Sequence, residues 1–129
     1  MTKEDKELLL KDLCSRLPYH AHVKVWLKDG TMEEGALDLE HNYGDILRDA
    51  FYYNEIVKIK PYLFPLSSMT DGEWEDYQKI RMIDWVHGDI NGTFINAGLI
   101  VDYLNAHHFD YRGLIEKGLA IDATNLNIY

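Results

Sequence analysis

The stretch that decides the fold reads His22-Val23-Lys24-Val25-Trp26-Leu27-Lys28-Asp29-Gly30-Thr31. From His22 to Leu27, Val23, Val25 and Leu27 alternate with the other side chains, which is the two-residue period of a strand with one buried face. Asp29-Gly30 is a dipeptide typical of a hairpin turn. The sequence therefore predicts a β-hairpin, with a returning strand over residues 31–39 and a bulge or sharp bend at Gly35.

A helix is predicted before this hairpin, over residues 3–16. Thr2 and Asp5 have the spacing of a capping box, and apolar residues follow at helical spacing. These are Leu9, Leu10, Leu13, Cys14 and Leu17. The polar face is expected to hold Lys3, Asp5, Lys6, Glu7, Lys11 and Asp12. Pro18 is expected to end the helix because proline pushes the preceding residue out of the helical region.

Further elements are predicted after the hairpin. The aromatic and β-branched residues over 51–59 predict another strand, and Pro61 and Pro65 are expected to limit further pairing to a sheet edge or an extended arm. A capping box of Thr70 and Glu73 predicts a helix over 71–86, in which Trp74, Tyr77 and Ile80 recur at near-helical spacing. Another helix is predicted over 93–106, with Gly98 permitting close packing. Residues 109–129 show no clear pattern.

The hairpin region resembles the first Sm motif of Sm-like proteins. The resemblance rests on Val23 to Gly30, followed by Gly35-Ala36-Leu37. It implies an N-terminal helix before a strongly bent five-strand barrel. Where the second motif would supply RNA contacts, this chain reads Glu55-Ile56-Val57-Lys58-Ile59-Lys60-Pro61-Tyr62, so no RNA-binding residues are carried over.

A second resemblance covers most of the chain. The runs Lys60 to Met69 and Asn105 to Ile115 resemble segments of small proteins from gut bacterial genomes and their mobile elements. This resemblance implies kinship and no particular activity. The predicted fold class is α+β in one domain, residues 1–129. It comprises an N-terminal helix, a small bent antiparallel β-sheet or partial Sm-like barrel up to residue 66, and a C-terminal helical region over 67–129 packed on it.

Composition predicts a globular protein of the cytoplasm. The chain has 129 residues, near the commonest domain size, and its 47% hydrophobic and 27% charged residues exclude disorder. The lone Cys14 cannot form an internal disulfide, and neither a signal peptide nor an apolar run of about 18 residues is present. The net charge of −9 predicts repulsion of nucleic acid and anionic membranes.

No catalytic residue, metal ligand set or cofactor is predicted. His20 and His22 are two residues apart at the start of a strand, so both rings could leave one face, but no third ligand is apparent. Two further groups of polar residues are expected at the ends of helices, where they have a structural role or a charged histidine interacts favourably with the dipole. These groups are Asp84, His87 and Asp89, and His107, His108 and Asp110.

The predicted function is that of a non-enzymatic protein-interaction or adaptor module with a protein partner. Candidate interaction residues are Tyr62, Phe64, Phe109, Tyr111 and Arg112, because aromatic residues and arginine dominate protein interfaces, although the same residues could form a core.

Two other functions remain open, nucleic-acid binding and metal-dependent hydrolysis. Homo-oligomerisation also remains open. An Sm-like nucleic-acid binder would need Lys24, Lys28, Lys58 and Lys60 on one face. A metal-dependent hydrolase would need a carboxylate to converge with several histidines. The histidines available are His20, His22, His41, His87, His107 and His108.

Overall fold

A computed structural model of the protein describes residues 2–37, 56–81 and 90–129. Three α-helices and five strands lie in these ranges. They are α1 (Lys3–Arg16), β1 (His22–Leu27), β2 (Met32–Ala36), β3 (Ile56–Pro65), α2 (Asp71–Arg81), α3 (Ile90–Ala106), β4 (Phe109–Asp110) and β5 (Ile121–Asp122). The predicted α+β class and the N-terminal helix are confirmed. No helix in the described ranges is long and apolar enough to span a membrane.

The predicted hairpin is formed by β1 and β2. Thr31 accepts a backbone hydrogen bond from Leu27 at 2.9 Å, and Gly30 takes the positive φ of 90° that the turn requires. The Asp29 carboxylate accepts from the hydroxyl and backbone N–H of Thr31, which lowers its pKa. Gly35 pairs with Val23 in an unbroken antiparallel register. The predicted bulge at Gly35 is therefore wrong, and β2 ends at Ala36.

Helix α1 has its predicted bounds, and Thr2 caps it by accepting from the Asp5 N–H at 3.1 Å. Leu17 keeps right-handed helical angles, and the chain continues as a 3₁₀ turn over Leu17–Tyr19. The predicted reason for the helix end is therefore wrong. Proline lacks an N–H, so Pro18 cannot continue the α-helical hydrogen bonds, yet its φ suits a 3₁₀ turn.

Two assignments to the faces of α1 are also wrong. Asp12 was expected on the polar face, but it is fully buried. Leu10 and Cys14 were expected on the apolar face, but both are exposed. The buried stripe of α1 consists of Leu9, Asp12, Leu13 and Arg16.

Strand β3 is the central strand of the sheet. It pairs antiparallel with β1 and parallel with both β4 and β5. The strand runs through Pro61 to Pro65, so the prolines do not confine it to an edge as predicted. Pro61 pairs with Val23. In an antiparallel ladder only alternate pairs exchange hydrogen bonds, so a proline can occupy a pair that exchanges none.

The sheet is mixed, where a wholly antiparallel one was expected, and within the described ranges it is not closed into a barrel. One core cluster lies between α1 and the sheet, and it consists of Leu9, Leu13, Val23, Val25, Leu37 and Ile59. A second cluster packs the C-terminal residues on β3, and it consists of Leu63, Leu114, Leu119 and Ala120. Leu8 of α1 contacts the second cluster.

The helices of the second half pack more loosely. The described part of the predicted 71–86 helix is α2, which contains no buried residue, and residues 82–86 lie outside the described ranges. Helix α3 begins at Ile90, earlier than predicted, and buries Leu104 and Asn105 near its end. Gly98 is exposed, and no described atom lies within 4 Å of a Cβ placed on it. The close packing predicted at Gly98 is therefore not present among the described residues.

Candidate functional site

A buried ionic cluster joins α1 to the start of the C-terminal segment. The Asp12 carboxylate accepts from Arg16 Nε at 2.8 Å and from Arg112 Nη1 at 2.9 Å. Arg16 also donates from Nη2 to the Phe109 carbonyl at 2.7 Å. Asp12 and Arg16 are completely buried, and both guanidinium groups engage the same carboxylate. The cluster therefore acts as a structural joint between residues far apart in sequence.

The Tyr111 ring lies close to both arginines of this cluster. Its ring centroid is 5.3 Å from Arg16 Cζ and 4.6 Å from Arg112 Cζ, within the range of cation–π attraction. Its hydroxyl donates to Asn105 Oδ1 at 3.0 Å. Two of the predicted interaction residues, Tyr111 and Arg112, thus have internal partners while staying partly exposed. Their part in an interaction stays a prediction.

The other three predicted interaction residues lie on β3 and β4. Tyr62 and Phe109 are 5% and 1% exposed, whereas Phe64 is partly exposed. The Tyr62 hydroxyl donates to Glu34 Oε1 at 2.6 Å, and burial together with this carboxylate raises the pKa of Tyr62 to about 12. The Phe64 and Phe109 rings are 6.3 Å apart. The structure therefore brings Phe64 and Phe109 together.

Tyr129 has a role that the sequence did not reveal. Its hydroxyl accepts from the His22 N–H at 2.7 Å and donates to the Tyr62 carbonyl at 2.8 Å. In the register that pairs Val23 with Pro61, His22 and Tyr62 would form the next pair. The hydroxyl thus takes the place of a direct backbone bond at the end of the β1–β3 ladder. Burial raises the pKa of Tyr129 to about 12, although 42% of the residue is exposed.

The histidines do not form the arrangements considered from sequence. His20 lies in the left-handed turn before β1, at φ 54°, so it does not share a strand face with His22. The His22 ring meets Tyr129 edge-on, with centroids 5.2 Å apart. His41 and His87, with Asp84 and Asp89, lie outside the described ranges. Within those ranges no group of three or more His, Cys, Asp or Glu residues could hold a metal ion.

His107 and His108 follow α3 and have different surroundings. His107 Nδ1 is 3.9 Å from Glu73 Oε2. The His108 ring stacks on Tyr129, with centroids 3.6 Å apart, and burial, with Arg16 nearby, lowers its pKa to about 4. His108 is therefore neutral near neutral pH. Of the dipole or structural role expected from sequence, the stacking of the neutral ring on Tyr129 therefore favours the structural one for His108.

Helix α2 presents an aromatic and acidic surface, which we call the α2 surface. Trp74 is 52% exposed, and its ring centroid is 5.8 Å from that of Tyr77. The same helix has exposed carboxylates, from Asp71, Glu75 and Asp76. In the sequence, Trp74 and Tyr77 contribute to the spacing that predicts the helix. A spacing pattern, however, does not show which face of a helix is covered, so the exposed tryptophan was missed.

The α2 surface is held in place at its start. The predicted capping box is present, with the Thr70 N–H donating to Glu73 Oε1 at 2.9 Å and the Glu73 N–H donating to Thr70 Oγ1 at 3.2 Å. The Tyr103 hydroxyl donates to the Glu73 carbonyl at 3.1 Å, which ties α2 to α3. These hydrogen bonds hold the first turn of α2, which contains Trp74, in place.

A cleft of about 230 Å³, which we call the aromatic cleft, adjoins the α2 surface. Its lining residues are Phe64, Ser68, Thr70, Glu73, Phe109, Thr124 and Asn125. The exposed Trp74 directly follows the lining residue Glu73 in sequence. Phenyl rings and one carboxylate in a small cleft are groups that attract a cation.

Three of the four lysines considered for nucleic-acid binding lie on one face of the sheet. The register pairs Lys24 with Lys60 and Trp26 with Lys58, which puts all four side chains on one face of the sheet. The Lys58 and Lys24 ammonium groups are 4.2 Å and 5.4 Å from the Trp26 ring centroid. Lys28 lies in the hairpin turn outside this strand pairing.

No protein-family model, curated protein or solved structure matches this chain. What the protein does is therefore inferred from the chemistry of its own surfaces. The α2 surface with the aromatic cleft is the candidate functional site, because it combines an exposed tryptophan, a cleft lined by Phe64 and Glu73, and exposed carboxylates on α2.

Proposed function

We propose that this protein is a non-enzymatic interaction module of the cytoplasm that binds a basic segment of another protein. The segment lies on the α2 surface, and one of its lysine or arginine side chains enters the aromatic cleft. The observation that carries the proposal is that Glu73 lines one cleft with Phe64 and is followed directly in sequence by the exposed Trp74.

The chemistry of the cleft favours a cationic side chain. Phe64, which is partly exposed, offers ring surface to the stem and charge of a lysine or arginine, and Glu73 offers a carboxylate. Tryptophan and tyrosine are enriched among the residues that dominate binding energies, so Trp74 and Tyr77 suit an anchor beside the cleft.

The charge of the surroundings supports the same partner. Acidic side chains outnumber basic ones by 22 to 13 in the chain, and three exposed carboxylates lie on the α2 surface. Complementary charge accelerates the encounter with a basic segment and disfavours acidic partners.

A peptide-binding experiment tests the proposal. Fluorescently labelled short peptides rich in arginine, lysine or glutamate are titrated with the protein, and anisotropy is measured. We expect saturable binding of the basic peptides and none of the acidic one. Glu73→Gln and Trp74→Ala should each weaken binding about tenfold. Glutamine can keep the capping box, so Glu73→Gln removes the charge without removing the helix cap.

The matched control is Glu116→Gln, which removes the same charge from an exposed position outside the site. If binding depended only on net charge, Glu73→Gln and Glu116→Gln would weaken it equally, and the proposal would be overturned. Absence of any binding to the basic peptides would also overturn it. Recovery of a host protein that binds the wild type and not Trp74→Ala would identify the partner.

A second candidate function is nucleic-acid binding, favoured by Lys24, Lys58 and Lys60 around Trp26 on one sheet face. Aromatic rings between lysines can stack on bases while the ammonium groups contact phosphates. The net charge of −9 opposes it. A gel shift at low salt that is lost in Trp26→Ala would support it, and no shift with single-stranded RNA or DNA would refute it.

A further inference from the structure

The Tyr129 ring lies among aromatic rings from β1, β3 and the turn after α3, in a place that we call the Tyr129 slot. The His108 ring stacks on it, with centroids 3.6 Å apart and planes 11° apart. The His22 ring stands at 84° to it, and the Phe64 centroid is 5.7 Å away. Stacked and edge-on contacts are the favoured geometries of aromatic pairs. The Tyr129 slot therefore fits a flat aromatic ring.

Two backbone groups of the sheet bind the hydroxyl in this slot. The His22 N–H donates to it at 2.7 Å, and the Tyr62 carbonyl accepts from it at 2.8 Å. A donor and an acceptor so placed need a ligand atom that accepts and donates at once, as a hydroxyl does. Burial raises the pKa of Tyr129 to about 12, so the slot favours a neutral phenol over a phenolate. Strand pairing of Val23 with Pro61 holds both backbone groups in place whatever fills the slot.

The segment over residues 124–128, which leads to Tyr129, is held weakly. Residues 124–127 are exposed, and Asn125 and Asn127 have positive φ values of 69° and 53°. Such angles are uncommon outside glycine, although asparagine tolerates them. Within the described ranges, the hydrogen bonds donated by the backbone N–H groups of this segment reach no further than three residues along the chain. The fit to the slot therefore depends on the Tyr129 side chain and not on the backbone that carries it.

We propose that the Tyr129 slot is a binding site for a small neutral phenol with a para substituent, and that this ligand displaces the Tyr129 side chain. The ligand ring stacks on His108, and its hydroxyl takes over the hydrogen bonds with the His22 N–H and the Tyr62 carbonyl. The para substituent points where the Tyr129 Cβ leaves the ring. A free phenol can make the contacts that the side chain makes, and the local hydrogen bonds of residues 124–128 need not break when Tyr129 leaves.

This inference goes beyond the proposed function and does not rest on it. Phe64 lines the aromatic cleft and also contacts the Tyr129 ring, but His22 and Tyr62, which bind the hydroxyl, do not line that cleft. A neutral phenol also lacks the charge by which a basic segment is recognised. Either proposal can therefore fail while the other holds.

A titration with p-cresol tests the site. Backbone amide shifts are followed by NMR in wild type, Tyr129→Phe and Tyr129→Ala, with the His22 amide as reporter because its N–H donates to the hydroxyl. The ligand competes with the side chain at position 129, so we expect its affinity to rise in that order. Tyr129→Phe lacks the hydroxyl that competes for both hydrogen bonds, and it should bind p-cresol about tenfold more tightly than wild type.

Toluene is the matched ligand, because it has the same ring and methyl group without the hydroxyl. It should bind Tyr129→Ala about tenfold more weakly than p-cresol does. Leu126→Ala is the matched control variant, since it changes an exposed residue of the same segment, and it should bind p-cresol like the wild type. Far-UV circular dichroism checks that each variant is folded. If Tyr129→Ala does not fold, the comparison of the two ligands is made in Tyr129→Phe.

Three results would overturn the proposal. The first is the absence of a saturable His22 shift in the folded Tyr129 variants. The second is equal affinity of p-cresol for wild type and Tyr129→Phe, or equal affinity of p-cresol and toluene for one variant, because the hydroxyl site would then play no part. The third is a set of shifts centred on Thr70 and Glu73, which would place p-cresol in the aromatic cleft instead.

Discussion

Replacing Asp12 with alanine removes the carboxylate that two guanidinium groups share. Arg16 is completely buried and would lose its counter-ion, whereas the Arg112 side chain is 15% exposed and can recover part of its solvation. Removing one partner of a buried ion pair costs about 3–5 kcal/mol. We therefore expect Asp12→Ala to lower the free energy of unfolding by about 4 kcal/mol, a large part of the stability of about 5–15 kcal/mol typical of a domain.

Urea unfolding followed by tryptophan fluorescence measures this loss. With a slope of about 1–3 kcal/mol per molar urea, the midpoint should fall by about 2 M. Glu7→Ala, at an exposed position of the same helix, is the control and should change stability by about 0.5 kcal/mol or less. The double variant Asp12→Leu/Arg16→Met should cost less than Asp12→Ala, because it removes the completely buried Arg16 and leaves only the partly exposed Arg112 without its carboxylate. A loss below about 1 kcal/mol for Asp12→Ala would refute the reasoning.

Three further predictions concern single residues. Tyr129→Phe should lower the free energy of unfolding by about 1–2 kcal/mol, because the His22 N–H and the Tyr62 carbonyl lose their shared partner. An unchanged urea midpoint would show that the Tyr129 hydroxyl is dispensable. The pKa of His108 is about 4 in the folded protein, against an ordinary value of 6.5. As the pH falls, the unfolded chain therefore takes up this proton before the folded protein does. The free energy of unfolding should accordingly decrease as the pH drops from about 6.5 to about 4. The loss of stability should be about 1–2 kcal/mol after allowance for solvent screening at this partly exposed ring. His108→Asn should abolish this pH dependence, and asparagine tolerates the positive φ of 62° at this position. Cys14 should react with a thiol reagent in the folded protein at nearly the rate of a free cysteine, and protection in the absence of denaturant would contradict its exposure.

Local elements were predicted well because their signals lie within a few residues. The alternation in β1, the Asp29-Gly30 turn and the Thr70–Glu73 capping box all involve neighbours in sequence. Errors arose where a distant residue changed the outcome. Asp12 looked like a solvent-exposed acid in its helix, and it is buried because Arg112, 100 residues away, reaches it.

The candidate site could be predicted only in part. Phe64 and Phe109 were selected as aromatic residues suited to contacts, and the structure places both in the aromatic cleft. Trp74 and Glu73 were recognised only as helix residues. The exposure of a helix residue depends on which neighbouring element packs against its face of the helix. Helical spacing alone does not show that packing.

The sequence by itself determined the α+β class, the helix α1, the hairpin and the start of α2, because backbone hydrogen bonding and side-chain period act over short separations. Only the tertiary structure decided that β3 becomes the central strand, that Tyr129 bridges β1 to β3, and that Asp12 is buried against Arg16 and Arg112. Those features depend on contacts between residues as many as 107 positions apart, and such contacts are fixed by packing of the whole chain.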